Sequence, residues 1–267
     1  MVAFALGAAW ARFDEVPLMP RNTTRGESIR LYYYTGRRWG LKALWEKRLK
    51  IARYSELNDP FELLPFDVEK RKSRAFWQEQ ATKLLCGTHG VLCLSEDWRS
   101  NVMWSHYGEK HTGLCLGFDV PRSAAVKIRY VDALKPDPLK PGLGNKRIPD
   151  SVLEDSLQFK QRAWKYEKEW RLRVPLTTPV DRVSYHRFDD TLHLREVILG
   201  ARSPMRPIDV LEAVVNPPLD VEIFQARAAF GRFEICRHEL IDTHTRKGFR
   251  AALALARDVF ADELPDD

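Results

Sequence analysis

The order of strand-like and helix-like segments most constrains what this 267-residue chain can fold into. Short β-branched and aromatic runs predict strands, and longer runs with apolar residues every three or four positions predict helices. Strands are predicted in IRLYYYT, GVLCLSED, GLCLGFDV, VKIRYVDA, LREVILG and RFEICRH. Helices are predicted at 37–49, 67–86, 151–163, 208–215 and 246–261, with a short one opened by Ser100 or Asn101. Because the two kinds do not alternate in a regular βαβ rhythm, the sequence favours an α+β fold over a doubly wound parallel sheet.

Three parts of the chain are distinguished by their patterns. We expect residues 1–28 to form an N-terminal extension and residues 29–205 to form the main α+β domain. We expect residues 206–267 to form helices and strands that pack on that domain. The stretch 132–150 holds four prolines and two glycines, so it predicts the clearest loop in the chain.

Composition predicts a cytoplasmic protein with anionic partners. Hydrophobic residues make up 44% of the chain and charged residues 30%, which excludes a disordered protein. A formal net charge of +6 favours nucleic acid or a phosphate-bearing cofactor as partner. The four cysteines form no CxxC pair and fit reduced thiols. The opening apolar run lacks a preceding basic residue, and no run approaches the ~18 apolar residues of a membrane span, so no membrane association is expected.

The segment WKYEKEWRLRV, residues 164–174, places two glutamates one residue apart among aromatic and basic residues. In a strand, Glu167, Glu169 and Arg171 share a face, and the two carboxylates lie roughly 7 Å apart. Such carboxylates can divide labour, one orienting a hydroxyl or cation and the other stabilising the reacting group. A solvated charged face, or a helical ion pair between Glu167 and Arg171, remains an alternative.

The stretch MWSHYGEKH supplies a second candidate for chemistry. His106 beside Tyr107 offers a proton carrier at neutral pH and an aromatic donor at a helix end. A hydrogen-bonded core histidine is the alternative. His106 and His111 are five residues apart, which is the wrong spacing for two ligands on one helical face, so no metal site is expected.

Two further stretches place polar or aromatic groups tightly. In RLYYYTG, Tyr33 shares a strand face with Leu31 and Thr35 and can present its ring to a ligand base. In NDPFE, residues 58–62, an amide and two carboxylates are positioned around a proline, or the motif is a simple turn. The chain contains neither a GxGxxG nor a GxxxxGK[ST] motif, so Rossmann and P-loop nucleotide sites lack support.

Taken in order, five motifs resemble a large prokaryotic family catalogued as a domain of unknown function. They are LYYYTG, LNDPFE, GVLCLSEDWRSNVMWSHYGEKHTGLCLGFD, WKYEKEWRL and REVILG. The resemblance covers residues from about 30 to 200, and it implies no established activity.

A second resemblance is to ADP-ribosyltransferases of the histidine–tyrosine–glutamate kind, whose first strand reads like LYHGT. Here LYYYT looks like that strand, with Tyr33 in the place of the histidine and Thr35 in that of the threonine. Arg30 looks like the arginine of the toxin branch, and Ser95 or Tyr107 stands for the middle motif. The tyrosine in place of the histidine departs from the family pattern.

Glu167-Lys168-Glu169 is similar to the Glu-x-Glu pair of the toxin branch. The resemblance implies that Glu169 contacts the nicotinamide ribose and stabilises the oxocarbenium-like centre, while Glu167 orients the acceptor. It also implies a mixed or antiparallel split sheet with flanking helices, and a metal-free site. The residues expected to contact NAD are Arg30, Tyr33, Thr35, Ser95, Tyr107 and Arg171.

The expected function is therefore transfer of ADP-ribose from NAD to a nucleic acid or protein, in a toxin or phage-defence effector. One alternative is a non-catalytic nucleic-acid-binding or sensor module, in which aromatic residues stack on bases. Another is a metal-independent hydrolase or nuclease that uses His106 with Glu167 or Glu169.

Overall fold

A computed structural model describes residues 27–62, 64, 66–85, 88–137, 150–176, 183–189, 191–207, 209–210 and 221–243. The described strands are β1 (Ser28–Thr35), β2 (Arg48–Lys50), β3 (His89–Ser95), β4 (Leu114–Pro121), β5 (Val126–Lys127), β6 (Arg129–Val131), β7 (Phe159–Gln161), β8 (Glu169–Pro175), β9 (Tyr185–Arg187), β10 (His193–Leu199), β11 (Glu222–Ala228) and β12 (Ile235–Thr243). The described helices are α1 (Arg37–Glu46), α2 (Arg71–Leu85), α3 (Asn101–His106) and α4 (Asp150–Ser156).

Most strands belong to one curled sheet in the order β12-β11-β10-β4-β1-β3-β8-β5. Its neighbouring strands run antiparallel except β10 and β11, which are parallel. The strands β2 and β9 form a small antiparallel pair, and β6 and β7 a small parallel pair. The predicted α+β class, with a mostly antiparallel sheet, is therefore confirmed. From the segment 206–267, β11 and β12 extend this same sheet.

The sheet opens between β1 and β3. Along β1, pairing with β4 runs from Ser28 to Thr35, whereas pairing with β3 is formed by Tyr32 opposite Ser95. On its other side, β3 pairs with β8 along its whole length. The two halves of the sheet therefore diverge on either side of one residue pair, and this divergence leaves space for a site.

Alternate residues of β1 pack on opposite faces of the sheet, as a strand requires. Leu31 is buried with Phe118 and the α1 residue Leu44 in the larger apolar core. Tyr32 and Tyr34 lie on the other face, in an aromatic cluster with Trp98 and Trp104. Burial of large apolar groups on both faces makes β1 a central strand, since each such side chain contributes roughly 1.5–3 kcal/mol.

Several predicted elements are corrected. The helix predicted at 37–49 ends at Glu46, and Arg48–Lys50 is the strand β2. The strand predicted in VKIRYVDA is divided into β5 and β6, which belong to different sheets.

Two further corrections lie next to the candidate glutamates. The helix predicted at 151–163 ends at Ser156, and Phe159–Gln161 is instead the strand β7. The predicted strand 164–174 begins as a 3₁₀ helix, Arg162–Glu167, followed by Lys168 in the left-handed conformation (φ 47°, ψ 48°). Strand structure starts at Glu169. Burial of neighbouring side chains at 159 and 160 outweighs the helical pattern there.

Several predictions fall wholly or mostly outside the described residues. These are the N-terminal extension 1–28, the helices at 208–215 and 246–261, and residues 138–149 of the loop 132–150.

Candidate functional site

A cavity of about 270 Å³ lies where β1 and β3 diverge. Its lining includes residues 32–34 of β1 and residues 91–95 of β3. Polar groups from elsewhere in the chain complete the lining: Lys50, Glu56, Asn58, Glu62, Tyr107, Lys160, Glu167 and Glu169. We call this cavity the cleft. Pockets for drug-sized ligands measure roughly 300–1,000 Å³, so the cleft lies just below the lower end of that range.

Five ionisable side chains meet at the base of the cleft and form what we call the cleft cluster. Their side chains are 3–5% exposed. Members of the cluster are Glu62, Lys160, Glu167, Glu169 and Arg171. Buried charges are retained in proteins when they are paired and hydrogen-bonded, and each member of this cluster has an oppositely charged neighbour.

Lys160 lies at the centre of the cleft cluster. Its Nζ is 2.6 Å from Glu167 Oε2, 3.1 Å from Glu169 Oε2 and 3.3 Å from Glu62 Oε1. The ammonium donates hydrogen bonds to Glu167 and Glu169, and Glu62 is an ion-pair neighbour. Lys160 therefore fixes the positions of the two glutamates that the sequence singled out.

Arg171 binds two of the same carboxylates from the other side. Its Nε donates to Glu169 Oε1 at 2.6 Å, and its Nη2 donates to Glu62 Oε1 and Oε2 at 2.7 and 2.9 Å. Nη1 donates to the carbonyl oxygen of Leu157 at 3.2 Å. With every group ionised, three carboxylates face two cations, so the cleft cluster keeps one negative charge in excess.

The backbone around Lys168 turns both glutamates towards this cluster. The left-handed residue ends the 3₁₀ helix, so Glu167 and Glu169 flank a sharp change of direction. Ser95 Oγ donates to the carbonyl oxygen of Glu167 at 2.6 Å, and the Glu169 N–H donates to Tyr130 Oη at 2.8 Å. These bonds hold the turn from both sides.

Tyr107 completes the hydrogen bonding of Glu167. Its hydroxyl donates to Glu167 Oε1 at 2.6 Å and accepts from Asn58 Nδ2 at 2.8 Å. The residue directly follows α3, whose first turn is capped by Ser100 Oγ accepting from the Met103 N–H. Capping fixes where α3 begins, and so helps to place Tyr107 at the cleft.

The two glutamates have opposite pKa shifts. Burial raises the pKa of Glu167 above its ordinary value, and this outweighs the lowering effects of Lys160 and Tyr107. Burial acts on Glu169 in the same direction, but Arg171 and Lys160 outweigh it and lower the pKa of Glu169. One carboxyl is thus suited to exchanging a proton, and the other to remaining a fixed negative charge.

The two cations of the cluster stay protonated. Burial lowers the pKa of Lys160, but the charges of the surrounding carboxylates, Glu169 foremost, raise it above its ordinary value. The same balance raises the pKa of Arg171. Lys160 is therefore a hydrogen-bond donor at neutral pH rather than a nucleophile.

Several residues predicted from the sequence come together here. Tyr33, Ser95 and Tyr107 line the cleft together with Glu167 and Glu169. Burial raises the pKa of Tyr33 to about 12, so its ring is presented as a neutral phenol. Arg171 contacts Glu169 from behind the cleft wall. The alternative of a solvated charged face is wrong, because Glu167, Glu169 and Arg171 are buried.

Other predicted residues lie outside the cleft lining. His106 is exposed, and its Nδ1 is 3.2 Å from the hydroxyl of Tyr166. Thr35 is buried, with its hydroxyl directed at the carbonyl of the next residue. Arg30 is ion-paired with Asp119 on β4, which pairs with β1, and with Glu196 on β10, the next strand beyond β4. The positive charge of Arg30 is therefore matched within the sheet.

Lys160 is the residue of the cluster that sequence reasoning missed. The helix predicted at 151–163 included it, so no functional position was assigned to it. Glu62 and Asn58 belong to NDPFE, which the sequence identified as a set of polar groups held around Pro60. Glu62 contacts Arg171, 109 positions away, and Asn58 contacts Tyr107, 49 positions away. No local sequence pattern encodes contacts at such separations.

Metal-binding geometry is not found among the described residues. No group of three or more His, Cys, Asp or Glu side chains in this part of the chain is arranged to hold an ion. In the cleft, the ammonium of Lys160 occupies the position between carboxylates that a bound cation would take.

None of the helices that the structure describes is both long enough and apolar enough to cross a membrane. Comparisons with models of protein families, with curated proteins and with solved structures found no match. What the cleft can do is therefore inferred from its own geometry and charge.

Proposed function

We propose that the cleft binds the nicotinamide–ribose end of NAD, breaks the bond between ribose C1′ and the nicotinamide nitrogen, and passes ADP-ribose to a nucleic acid or protein. One observation carries the proposal. Two buried carboxylates with opposite pKa shifts meet in a tyrosine-lined cleft at the point where the sheet opens. The motif resemblance to ADP-ribosyltransferases supports the same reading, and a role as toxin or phage-defence effector is part of the proposal.

The charge of the cleft suits the reacting end of NAD. The nicotinamide ring of NAD is cationic, and C1′ gains positive charge as its bond to the ring breaks. Aromatic faces such as that of Tyr33 attract cations, and a fixed carboxylate stabilises the developing charge. The excess negative charge of the cleft cluster remains even with Lys160 protonated, so the cation does not cancel this effect.

The two glutamates take different parts in the reaction. Glu169 stays ionised, accepts hydrogen bonds from the ribose hydroxyls and faces the positive charge at C1′. Nicotinamide leaves with the electron pair of the broken bond. An oxygen or nitrogen of the acceptor then bonds to C1′, and the proton that it loses passes to Glu167, whose raised pKa suits a proton acceptor.

The sheet supports this assignment by bringing three strands to one place. Tyr33 comes from β1, Ser95 from β3 and Glu169 from the start of β8, and all three line the cleft. This is the arrangement that an ADP-ribosyltransferase-like split sheet would need. A hydrolase that uses His106 has less support, because His106 is exposed and outside the cleft lining.

The test is nicotinamide release from NAD by the purified protein, alone and with DNA, RNA or cell extract. Glu169→Gln should lower the rate by about 10²–10³-fold, because a preorganised charge at the reacting centre is lost. Glu167→Gln should lower it less when water is the acceptor. Asp119→Asn is the matched control, since Asp119 is a carboxylate ion-paired outside the cleft, and the rate should be unchanged.

Circular dichroism must show that each variant is folded. Release by a folded Glu169→Gln variant at the wild-type rate would contradict the proposal. So would the absence of both nicotinamide release and NAD binding, with binding measured by calorimetry.

A further inference from the structure

The solvent-facing side of α1 exposes two tryptophans. Trp39 is 60% exposed and Trp45 is 62% exposed, whereas Gly40 and Leu44 on the opposite side of the helix are buried. Large apolar side chains at this level of exposure mark interaction surfaces when they occur together.

Basic residues share this side of the helix. With 3.6 residues per turn, positions 38, 39, 42 and 45 fall on one arc of α1. The Arg38 guanidinium carbon is 5.4 Å from the centre of the Trp39 ring, and Lys42 Nζ is 6.0 Å from it. We call the set Arg38, Trp39, Lys42 and Trp45 the α1 face.

The surrounding segment is strongly basic. Residues 37–50 contain six lysines and arginines and one glutamate, whereas the whole chain has a formal net charge of +6. Lys42 and Arg48 share Glu46, at 3.9 and 2.9 Å. Arg38 makes no ion pair with the carboxylates that the structure describes, so its charge is available to an anionic partner.

The α1 face also lies near the cleft along the chain. β2 follows α1 directly, and Lys50 at the end of β2 lines the cleft. On the same strand, the Arg48 guanidinium stacks 3.8 Å above the Tyr185 ring. Basic residues thus also occur on β2, the strand that follows α1 and ends at a residue of the cleft lining.

We propose that the α1 face binds single-stranded nucleic acid. Trp39 and Trp45 stack on bases, while Arg38 and Lys42 bind phosphates. The tryptophans are six residues apart, or roughly 9 Å along the helix axis, so each stacks on a different base. A membrane surface fits less well, because the arc between them carries charged residues rather than the aliphatic residues of an interfacial helix. We further infer that the α1 face presents a nucleic-acid acceptor to the cleft, and this role rests on the proposed function. Binding of nucleic acid by the α1 face does not depend on the proposed function.

The experiment measures binding of fluorescein-labelled oligonucleotides of about 12 nucleotides, DNA and RNA in separate arms, by anisotropy without NAD. The double variant Trp39→Ala/Trp45→Ala should bind about tenfold more weakly or worse, with an unchanged salt dependence. Arg38→Gln should instead reduce the slope of log affinity against log salt by about 0.7, because one phosphate contact is lost. Both changes are on an exposed helix surface, so the fold should be retained.

A matched control is Phe230→Ala/Phe233→Ala. These phenylalanines are 89% and 102% exposed beside Arg227 and Arg232, but they lie between β11 and β12. This variant should bind oligonucleotides like the wild type. The proposal is overturned if the tryptophan variant binds oligonucleotides like the wild type, or if the phenylalanine variant is the one that loses affinity. It is also overturned if the wild type binds vesicles of anionic lipid but neither oligonucleotide. Because NAD is absent, failure of nicotinamide release leaves this result unaffected.

Discussion

Two groups of charged side chains lie in different parts of the main sheet, one at β8 and one across β1, β4 and β10, and they differ in burial and in charge balance. The cleft cluster has side chains 3–5% exposed and holds three carboxylates against two cations. The second group has side chains 18–33% exposed and holds two carboxylates against two cations. Its members, which we call the Arg30 cluster, are Arg30, Asp119, Arg195 and Glu196.

The difference shows which group has charge left for a ligand. In the Arg30 cluster the charges are matched and water reaches them, so Arg30 has no unmatched charge to offer the phosphates of NAD. With every group ionised, the cleft cluster has one carboxylate in excess where water is scarce, and electrostatic interactions are stronger in such surroundings. The function proposed for the cleft depends on this contrast.

The largest expected effect is a difference in the free energy of unfolding lost when one arginine of each cluster is replaced. Arg171→Met leaves two buried carboxylates without their guanidinium, so the free energy of unfolding should fall by about 3–5 kcal/mol. Arg30→Met removes a partly exposed partner, and the loss should be about 1 kcal/mol or less. Urea unfolding measures both. Equal losses would show that burial does not distinguish the clusters.

The next effect is a difference in the stability lost when each of the two glutamates of the cleft is replaced by glutamine. At pH 7, Glu169→Gln should lower the free energy of unfolding by about 2–3 kcal/mol, because two cations lose a charged acceptor. Glu167→Gln should cost less, since burial makes ionised Glu167 unfavourable. Unfolding of both variants in urea at several pH values is the measurement.

The sign of the pH dependence follows from the two pKa shifts. Glu169 has a folded pKa below its ordinary 4.5, so its stabilisation is present above pH 4.5 and is lost as the pH falls through the folded pKa. Glu167 has a folded pKa above 4.5, so its ionisation costs stability at higher pH, and protonation removes that cost. The gap between the variants should narrow on acidification. A gap that widens would contradict these directions.

A smaller effect concerns Tyr107. Tyr107→Phe removes the donor that lies 2.6 Å from Glu167, so stability should fall by about 1.5 kcal/mol. The same loss should raise the pKa of Glu167 further, and the acid limb of the pH profile of nicotinamide release should move to higher pH. Tyr166→Phe is the control, because that hydroxyl contacts the exposed His106. If the pH profile of nicotinamide release is the same in both variants, the hydroxyl of Tyr107 does not influence the reaction.

The smallest effect is expected at His106. His106→Gln should change the free energy of unfolding by no more than about 0.5 kcal/mol, as for most surface substitutions. Nicotinamide release should be unchanged, because His106 lies outside the cleft lining. A fall in rate of about 10²–10⁴-fold would make His106 the general acid or base and favour the hydrolase alternative.

The sequence predicted the centre of the sheet well and its surroundings less well. Strands β1, β3, β4 and β10 combine apolar runs with bounding glycines or polar residues, and these local signals agree with the tertiary fold. Residues 159–167 combine a buried strand with a 3₁₀ helix, where the pattern predicted a helix and the first part of a strand. Neighbouring elements, rather than local propensity, decide the structure there.

The sequence predicted some residues of the candidate site and missed others. Glu167, Glu169 and Tyr107 were chosen for their chemistry, and the structure places them together in the cleft. The partner that orders them, Lys160, carries no motif of its own. Arg30 matched a family pattern, but its carboxylate partners come from strands 89 and 166 residues away. Pairing across a sheet at such separations is not visible in local sequence.

Saturation-transfer NMR of NAD with the Glu169→Gln variant tests the central claim most directly, because the slowed reaction leaves NAD intact. If the cleft holds the nicotinamide–ribose end, the nicotinamide and adjoining ribose protons will receive more saturation than the adenine protons, and free nicotinamide will compete. Strongest saturation at the adenine protons would contradict the account.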